Sequence, residues 1–305
     1  MMNFVGKRYW YFLLSAVIII PGVIFLILFG LKQGSDFKGG SDITLQFSPI
    51  VQEDQLRGEL TKLGYNDAVI QSTINDSFII RIREITTAER QALTDSLGQN
   101  LNTAVTITDF SVISAVVASQ TVRYAIYAVI IAAVAILLYI SFAFRKMPSP
   151  FRWGICAVIA LIHDILLVIG VFAILGKLAG VEVDTLFITG MLTVAGYSVH
   201  DTIVVFDRIR ENTMKGISPS FENIVNYSIL QTMGRSLNTS LTVIFVLLAL
   251  FLLGGTTIHY FVLVLLIGVT TGTYSSICNA SQLLIVWNNR EWGRFIGRKP
   301  VEVKA

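Results

Sequence analysis

The sequence predicts a polytopic α-helical membrane protein with six transmembrane helices and one exterior α+β domain, of ferredoxin-like (βαββαβ) type, between the first two. Of the 305 residues, 54% are hydrophobic and only 14% are charged, a composition that soluble domains of this length rarely have. The hydrophobic residues also fall into six runs of roughly 18–27 residues, each long enough to cross a bilayer as a helix. The runs lie at about Tyr9–Leu31, Thr121–Phe144, Trp153–Leu175, Val183–Phe206, Ser236–Leu253 and Tyr260–Trp287.

Four parts of the chain follow from this pattern. Residues 1–33 hold the N-terminus and the first span, 34–120 the exterior domain, 121–288 spans two to six, and 289–305 a basic tail. The first run is too long for the core of a signal peptide, about 7–15 residues, and predicts an uncleaved helix. Basic residues at the ends of the spans predict that both termini are cytoplasmic. They are Lys7, Arg8, Arg145, Lys146, Arg152, Arg208, Arg210, Lys215, Arg290, Arg294, Arg298, Lys299 and Lys304.

The exterior segment alternates between strand and helix patterns. Strands are indicated by alternating or short apolar runs, and helices by leucines that recur on one face. A capping box at Thr86–Glu89 marks the start of the second helix, and Asn75-Asp76 marks a hairpin turn. The predicted order is a strand at Asp42–Ser48, a helix at Val51–Leu63, strands at Ala68–Ile74 and Phe78–Arg83, a helix after Thr86 and a strand at Ala104–Ile113.

Several classes of function are disfavoured by what these regions contain. The exterior segment has no His, no Cys and no Gly-rich phosphate loop, so an interaction or conformational role is favoured over catalysis. Cys156 and Cys278 fall inside predicted helices and indicate buried thiols, with no metal site. No nucleic-acid or nucleotide site and no cofactor are predicted. On the cytoplasmic side, Phe221–Leu230 predicts a short amphipathic segment along the membrane surface.

Asp201 is the most informative of the ionisable residues within the spans. It lies near the end of the fourth run, about 10 Å inside the boundary marked by Arg208, at 1.5 Å per residue. An ionised carboxylate there costs at least ~2.5 kcal/mol, which predicts a proton or ion site. Arg235 opens the antiparallel fifth run and could pair with it. Two interpretations stay open: a static ion pair that fixes packing, or an Asp201 that alternates between protonated and paired states.

Other residues of the spans are candidates for the same pathway. Tyr197 and Ser198 lie near the Asp201 face, and Thr239 follows Arg235 by one turn. His200 points about 100° away from Asp201, as a buried neutral side chain or a proton relay. His163 and Asp164 near the centre of the third run have a relay or structural role. The small residues of the sixth run recur every four positions and predict tight helix contact; they are Gly268, Gly272, Ser276 and Ala280.

Several motifs resemble the SecF branch of the SecD/SecF family, within the resistance-nodulation-division superfamily. The run from Gly196 to Asn212 (GYSVHDTIVVFDRIREN) resembles its fourth-helix signature, with His200 where the family usually has Asn. The motif Asp36-Phe37-Lys38-Gly39-Gly40 resembles the family sequence that opens the exterior domain. Gln231–Ser240, His163-Asp164 and Leu253–Gly255 also match family positions, and the resemblance covers nearly the whole chain.

The resemblance implies a multi-pass protein of the bacterial inner membrane that is not an enzyme. Such proteins pair with SecD, associate with the SecYEG channel and use the proton gradient to aid export of preproteins. By the same resemblance, Asp201 and Arg235 match the family's intramembrane Asp and Arg implicated in proton conduction, and sodium is left open as the coupling ion. Gly39 and Gly40 are predicted to give freedom to the link between the first helix and the exterior domain.

Two alternatives remain from different classes. The first is a half-transporter of the same superfamily that exports small molecules or lipids, which would also need a partner half. The second is an intramembrane aspartyl protease that uses Asp164 and Asp201. The residues before them, Ile162-His163 and Ser198-Val199-His200, differ from the Tyr-Asp and Gly-x-Gly-Asp motifs of such proteases, which disfavours this alternative.

Overall fold

The computed structural model describes residues 3–73 and 77–291, and within them six helices are long and apolar enough to cross a membrane. The predicted class, a polytopic helical protein with a small antiparallel sheet domain, is confirmed. The elements in chain order are α1 (Arg8–Phe29), α2 (Ser35–Lys38), β1 (Gly40–Ser48), α3 (Glu53–Lys62), β2 (Val69–Ser72), β3 (Ser77–Ile82), α4 (Thr87–Leu101), β4 (Ala104–Ile113), α5 (Ala115–Ala143), α6 (Pro150–Leu178), α7 (Thr185–Met214), α8 (Phe221–Leu253), α9 (Thr256–Ser275), a π-helix (Ser276–Ala280) and α10 (Ser281–Asn288).

The six spans are α1, α5, α6, α7, α8 and the continuous helix formed by α9, the π-helix and α10. The fifth span differs from its prediction, because Phe221–Leu230 is the first part of α8 and not a separate surface segment. Ile224, Val225 and Ile229 are 5% exposed or less and pack in a core cluster with residues of the other spans. Their burial, with no proline after Pro219 to interrupt the helix, explains why one helix runs through this region.

The exterior domain is a four-stranded antiparallel sheet with the strand order β2-β3-β1-β4. The predicted sequence of strands and helices is therefore observed. Ile43, Leu45, Leu56, Ile80 and Leu97 are fully buried between the sheet and helices α3 and α4. The second of these helices begins with the predicted capping box. The turn expected at Asn75-Asp76 lies outside the described residues.

Close backbone contact joins the first and third spans. An ideal Cβ built on Gly170 of α6 would lie 2.8 Å from the Gly22 Cα of α1, so only glycine fits on both sides. Near the junction of α5 and α6, Phe206 packs edge-on against Phe144 and Trp153, with ring centroids 6.1 and 5.3 Å away. These contacts fix the positions of the helices that carry the ionisable residues.

An ion-pair cluster ties the two ends of the described chain together. Arg8 is only 7% exposed, and its Nη2 donates to both carboxylate oxygens of Glu291 at 2.8 Å. It also pairs with Glu222 at 3.1 Å. Burial opposes ionisation of Glu291, but the hydrogen bonds from Arg8, Asn289 and Tyr9 outweigh it and lower the pKa of Glu291. The cluster holds α1 against the start of α8 and the end of α10.

Candidate proton site in the membrane

Asp201 lies in the interior of the bundle, where hydroxyl groups from two other spans hold its carboxylate. It is 8% exposed on α7. One oxygen, Oδ1, accepts a hydrogen bond from Ser236 Oγ of α8 at 2.5 Å. The other, Oδ2, accepts from Ser276 Oγ at the start of the π-helix, also at 2.5 Å. Asp201 therefore connects the fourth, fifth and sixth spans.

Asp164 forms a second buried carboxylate site on α6, where it is 0% exposed. Its Oδ2 accepts hydrogen bonds from Ser198 Oγ at 2.5 Å and from Ser275 Oγ at 2.6 Å. Its Oδ1 lies 2.9 Å from Nδ1 of His163, and the other ring nitrogen of His163 is buried without a partner among the described residues.

The two carboxylate sites share parts of the same helices. Ser275 and Ser276 are consecutive residues at the junction of α9 with the π-helix, and each donates to a different carboxylate. Ser198, which donates to Asp164, lies three residues before Asp201 on α7. Single π-turns inside α-helices occur frequently at functional sites. Both carboxylates therefore have a hydrogen-bond partner on the sixth span, and α7 carries both Asp201 and a partner of Asp164.

The small residues of the sixth span bring α7 close to these hydroxyl groups. Gly268 lies against Val194, and an ideal Cβ on Gly272 would lie 2.9 Å from the Ser198 Cβ. Ser276 and Ala280 continue this stripe and are fully buried. The stripe therefore acts in two ways, since it allows the approach and, at Ser276, supplies a donor to Asp201.

The structure places Arg235 away from Asp201, so the predicted direct ion pair is not formed. Arg235 is exposed and has no ion pair among the described residues. It lines a groove of about 290 Å³ with Asp207, Arg208 and Glu211. Consecutive residues of a helix point about 100° apart, and it is Ser236, not Arg235, that faces Asp201. The proposed influence of Arg235 on the site stays a prediction.

The remaining candidates divide between the interior and the surface. Tyr197 donates to Ser240 Oγ at 3.1 Å, and Ser240 lies 2.5 Å from the Thr273 hydroxyl, so these side chains form a separate polar chain one turn from Asp201. His200 is exposed on α7. Thr239 is also exposed, and its hydroxyl bonds the backbone of its own helix, so neither lines the interior site.

Three polar side chains on the outer surface of the bundle have no partners within the described part of the chain. His200, Arg235 and Asn238 are exposed on α7 and α8, and no hydrogen bond or ion pair joins their side chains to another described residue. Polar groups at membrane depth need protein or water as a partner, because lipid tails offer none. This surface of α7 and α8, marked by His200, Arg235 and Asn238, is therefore suited to another protein.

The glycines of the Asp36–Gly40 motif are required by close packing. Gly39 and Gly40 have φ of +79° and +145°, which favours glycine. An ideal Cβ on Gly40 would lie 2.6 Å from the carbonyl oxygen of Ile82. The freedom predicted for this link is thus not needed to explain the glycines. Phe37 packs in a core cluster with residues of α6 and α7.

One serine of the site, Ser236, was missed in the sequence, whereas Ser275 is one of several polar residues that the sequence places on the sixth span. Ser236 and Ser275 are direct partners of the carboxylates, whereas the sequence drew attention to Arg235 and to the spacing of small residues. Hydroxyl groups are common in membrane helices, where they often bond their own backbone. The available signal was their position on the spans that flank Asp164 and Asp201.

Comparisons with known proteins agree with this architecture. The family model described as "Protein export membrane protein SecD/SecF, C-terminal" matches residues 92–290. The chain is 48% identical to the protein translocase subunit SecF of Thermobaculum terrenum, over 100% of both chains. It is 41% identical to SecF of Anaerolinea thermophila, over 98% of this chain and 99% of the relative. Protein translocase subunit SecDF of Bacillus subtilis is 32% identical, over 95% of this chain and 38% of its own length.

Solved structures show the same relation. The crystal structure of SecDF, a translocon-associated membrane protein from Thermus thermophilus, superposes with a TM-score of 0.83 at 31% identity and covers 95% of this chain. A SecDF structure in the super-membrane-facing form gives a TM-score of 0.66 at 29% identity. The chain spans 39% and 40% of these two SecDF chains.

Proposed function

Since the chain belongs to the SecF family of protein translocase subunits, we propose that it pairs with a SecD subunit and uses the proton gradient to drive or complete export of preproteins through SecYEG. The chain is a multi-pass membrane protein and a transport component. We place the protein in the bacterial inner membrane with both termini in the cytoplasm. It uses no cofactor in this function, and the coupling ion is the proton.

The observation that carries this proposal is the hydroxyl coordination of Asp201. Ser236 and Ser276 each donate a hydrogen bond to one of its two oxygens, and a hydrogen bond to a charged group contributes about 1.5–3 kcal/mol. When Asp201 takes up a proton, its charge is lost and one carboxyl oxygen becomes a hydrogen-bond donor. The serine at that oxygen must then accept a hydrogen bond from it or move away. Protonation thus favours a different arrangement of the fourth, fifth and sixth spans, which is what coupling to movement requires.

Asp164 and His163 supply a second proton acceptor in the same pathway. Ser198 connects this pair with α7, and Tyr197 begins the separate polar chain through Ser240. Arg235, His200 and Thr239 act from the outer surface of the bundle, where a partner's helices would meet them. In that position Arg235 biases the proton site through the partner interface.

The exposed polar surface of α7 and α8 supports the pairing with SecD. His200, Arg235 and Asn238 find no partner within the described chain, and a second set of membrane helices would provide one. The relative from Bacillus subtilis has the name SecDF, and this chain matches 38% of it. The name SecDF and the greater length of this relative indicate that it contains a SecD part as well as a SecF part. It therefore supports a complex in which a SecD subunit lies beside this chain.

Proton flux in vesicles tests the proposal. The protein is reconstituted with its co-purified SecD-like partner, and flux and preprotein export are measured for wild type and Asp201→Asn. Asp207→Asn is the matched control, because Asp207 is an exposed carboxylate on the same helix. We expect Asp201→Asn to lose both activities while the complex still assembles. Unchanged flux would refute the role of Asp201, and flux that requires sodium at constant pH would replace the proton with sodium.

A further inference from the structure

We propose that Asp36 transmits movement of α7 to the exterior domain, an inference that rests on the proposed proton-driven function. Its Oδ2 accepts a hydrogen bond from the backbone N–H of Thr185, the first residue of α7, at 2.7 Å. The first N–H groups of a helix have no partner within it, and the positive end of the helix dipole favours a carboxylate there. Asp184 caps the same end by accepting from the Phe187 N–H at 2.9 Å.

The Asp36 carboxylate joins the helix that carries Asp201 to a segment that leads directly into the exterior sheet. Asp36 lies on the short helix α2, and β1 begins four residues later at Gly40. The connection has little slack, because a Cβ on Gly39 would lie 3.0 Å from the backbone nitrogen of Ala115, the first residue of α5. A displacement of Asp36 must therefore move the start of β1.

Other contacts in this junction end on the loop before α7. Val183 N donates to Lys32 O at 2.8 Å, and Gly34 N donates to Val183 O at 2.9 Å. Arg81 of β3 pairs with Glu182 at 3.1 Å. These contacts hold the loop between α6 and α7, whereas the hydrogen bond of Asp36 reaches the backbone of α7 itself.

The helix between the two ends is suited to transmit displacement. Thr185 and Asp201 are 16 residues apart, about 24 Å at 1.5 Å per residue. Sharp bends in helices arise mostly at proline, at glycine and serine pairs or at π-turns; α7 has Gly196 and Ser198 but no proline, and it is one α-helix along its whole length. A shift of α7 caused by changed bonding at Asp201 therefore arrives at Thr185, where Asp36 passes it to the exterior domain.

A merely structural cap and a transmitting contact predict different results. Loss of a cap would lower the stability of α7 and weaken proton flux and export together. Loss of a transmitting contact would leave the proton site intact and uncouple export from it. The comparison of the two activities in one preparation separates these possibilities.

The test uses Asp36→Ala and Asp36→Asn in the complex with the SecD-like partner. We expect Asp36→Ala to keep proton flux at the wild-type level and to lower preprotein export about tenfold, within the usual range of coupling between sites. Asp36→Asn retains an oxygen that can accept from Thr185 N, so we expect it to export nearly as well as wild type. Wild-type export by Asp36→Ala, or equal loss of flux and export in it, would overturn the proposal.

A covalent substitute for the hydrogen bond provides an independent check. Asp36→Cys and Thr185→Cys are combined in a chain whose natural thiols are replaced by Cys156→Ala and Cys278→Ala. We expect export to recover when the disulfide forms and to fall again with a reductant, at constant flux. Oxidation that forms the disulfide without restoring export would contradict the proposal. Failure of the proposed function shows separately, as unchanged flux in Asp201→Asn.

Discussion

Replacing Gly272 with alanine tests the link between helix packing and the proton site. Gly272 of α9 faces Ser198 of α7, and an added Cβ would lie 2.9 Å from the Cβ and 3.1 Å from the Cα of Ser198. Non-bonded carbons are most stable about 3.5–4.0 Å apart, so α7 and α9 must separate by roughly 0.5–1 Å. Because the closest atoms include backbone, rotation of a side chain cannot relieve the contact.

The separation acts on three short hydrogen bonds around Gly272, directly where a bond joins α7 to the sixth span and through the shared Asp164 carboxylate of α6 for the other two. They are the bonds from Ser198 and Ser275 to Asp164 and from Ser276 to Asp201, at 2.5, 2.6 and 2.5 Å. Lengthening by the same amount would take them to or beyond the usual O–H···O range, which ends at about 3.0 Å. Overpacking costs about 1–3 kcal/mol, and alanine's higher helix propensity offsets at most about 1 kcal/mol.

The assay measures proton flux in vesicles and unfolding in mixed micelles for Gly272→Ala. The matched control is Gly58→Ala in α3, where an added Cβ meets no atom within 4 Å. We expect the control to keep full flux and to gain up to about 1 kcal/mol from helix propensity. We expect Gly272→Ala to lose most of its flux and to unfold more easily than the control. Equal behaviour of the two variants would refute the reasoning.

Three further predictions concern other parts of the molecule. Arg8→Ala leaves the carboxylate of Glu291 unpaired, and we expect unfolding in detergent to become about 3 kcal/mol easier. Phe206→Ala removes a fully buried ring that packs on Trp153, and we expect denaturant titration to show a loss of about 3–5 kcal/mol. Burial raises the pKa of Asp42 from 3.8 despite Arg81, so the folded state holds its proton at higher pH than the unfolded state. The contribution of Asp42 to the free energy of unfolding is therefore present below pH 3.8 and lost as pH rises through the raised pKa. Hydrogen exchange of the exterior domain measures this stability, and we expect its pH dependence to be lost in Asp42→Asn.

Each of these predictions has a control on an exposed residue of the same type. Lys7→Ala removes a neighbouring basic side chain, Phe245→Ala removes a ring that is 65% exposed, and Asp67→Asn neutralises an exposed carboxylate of the exterior domain. A loss of stability in Lys7→Ala or Phe245→Ala equal to that of its partner variant would contradict the assigned contacts. A pH dependence that persists in Asp42→Asn would contradict the role of Asp42.

The architecture could be predicted from the sequence because it follows from periodicity and hydrophobicity. The six apolar runs correspond to the six spans, and the alternating strand patterns around Ile43 and Ile80 correspond to β1 and β3. Asp164 and Asp201 could be identified for a related reason, since a carboxylate in an apolar run needs partners. These are properties of local sequence, which a single chain displays directly.

The partners of the carboxylates could not be predicted, because they depend on the rotation of each helix about its axis. Arg235 and Ser236 are adjacent, and only the packed structure shows that the serine faces Asp201. The π-helix that begins at Ser276 shifts the helical phase at the site, and no motif in the sequence marks it. Likewise, the burial of Ile224 that makes α8 continuous depends on tertiary contacts with other spans.

Because Ser275 and Ser276 are adjacent, two hydrogen bonds hold the sixth span, and both must break before the span can rotate. The two hydroxyl groups point about 100° apart and engage Asp164 on α6 and Asp201 on α7. A shift of the span toward one carboxylate runs nearly perpendicular to the other bond and leaves that bond almost unchanged, whereas a rotation of the span breaks both. Loss of the hydrogen bond to one carboxylate thus allows the span to shift in a single direction. Rotation of the span requires the loss of both hydrogen bonds.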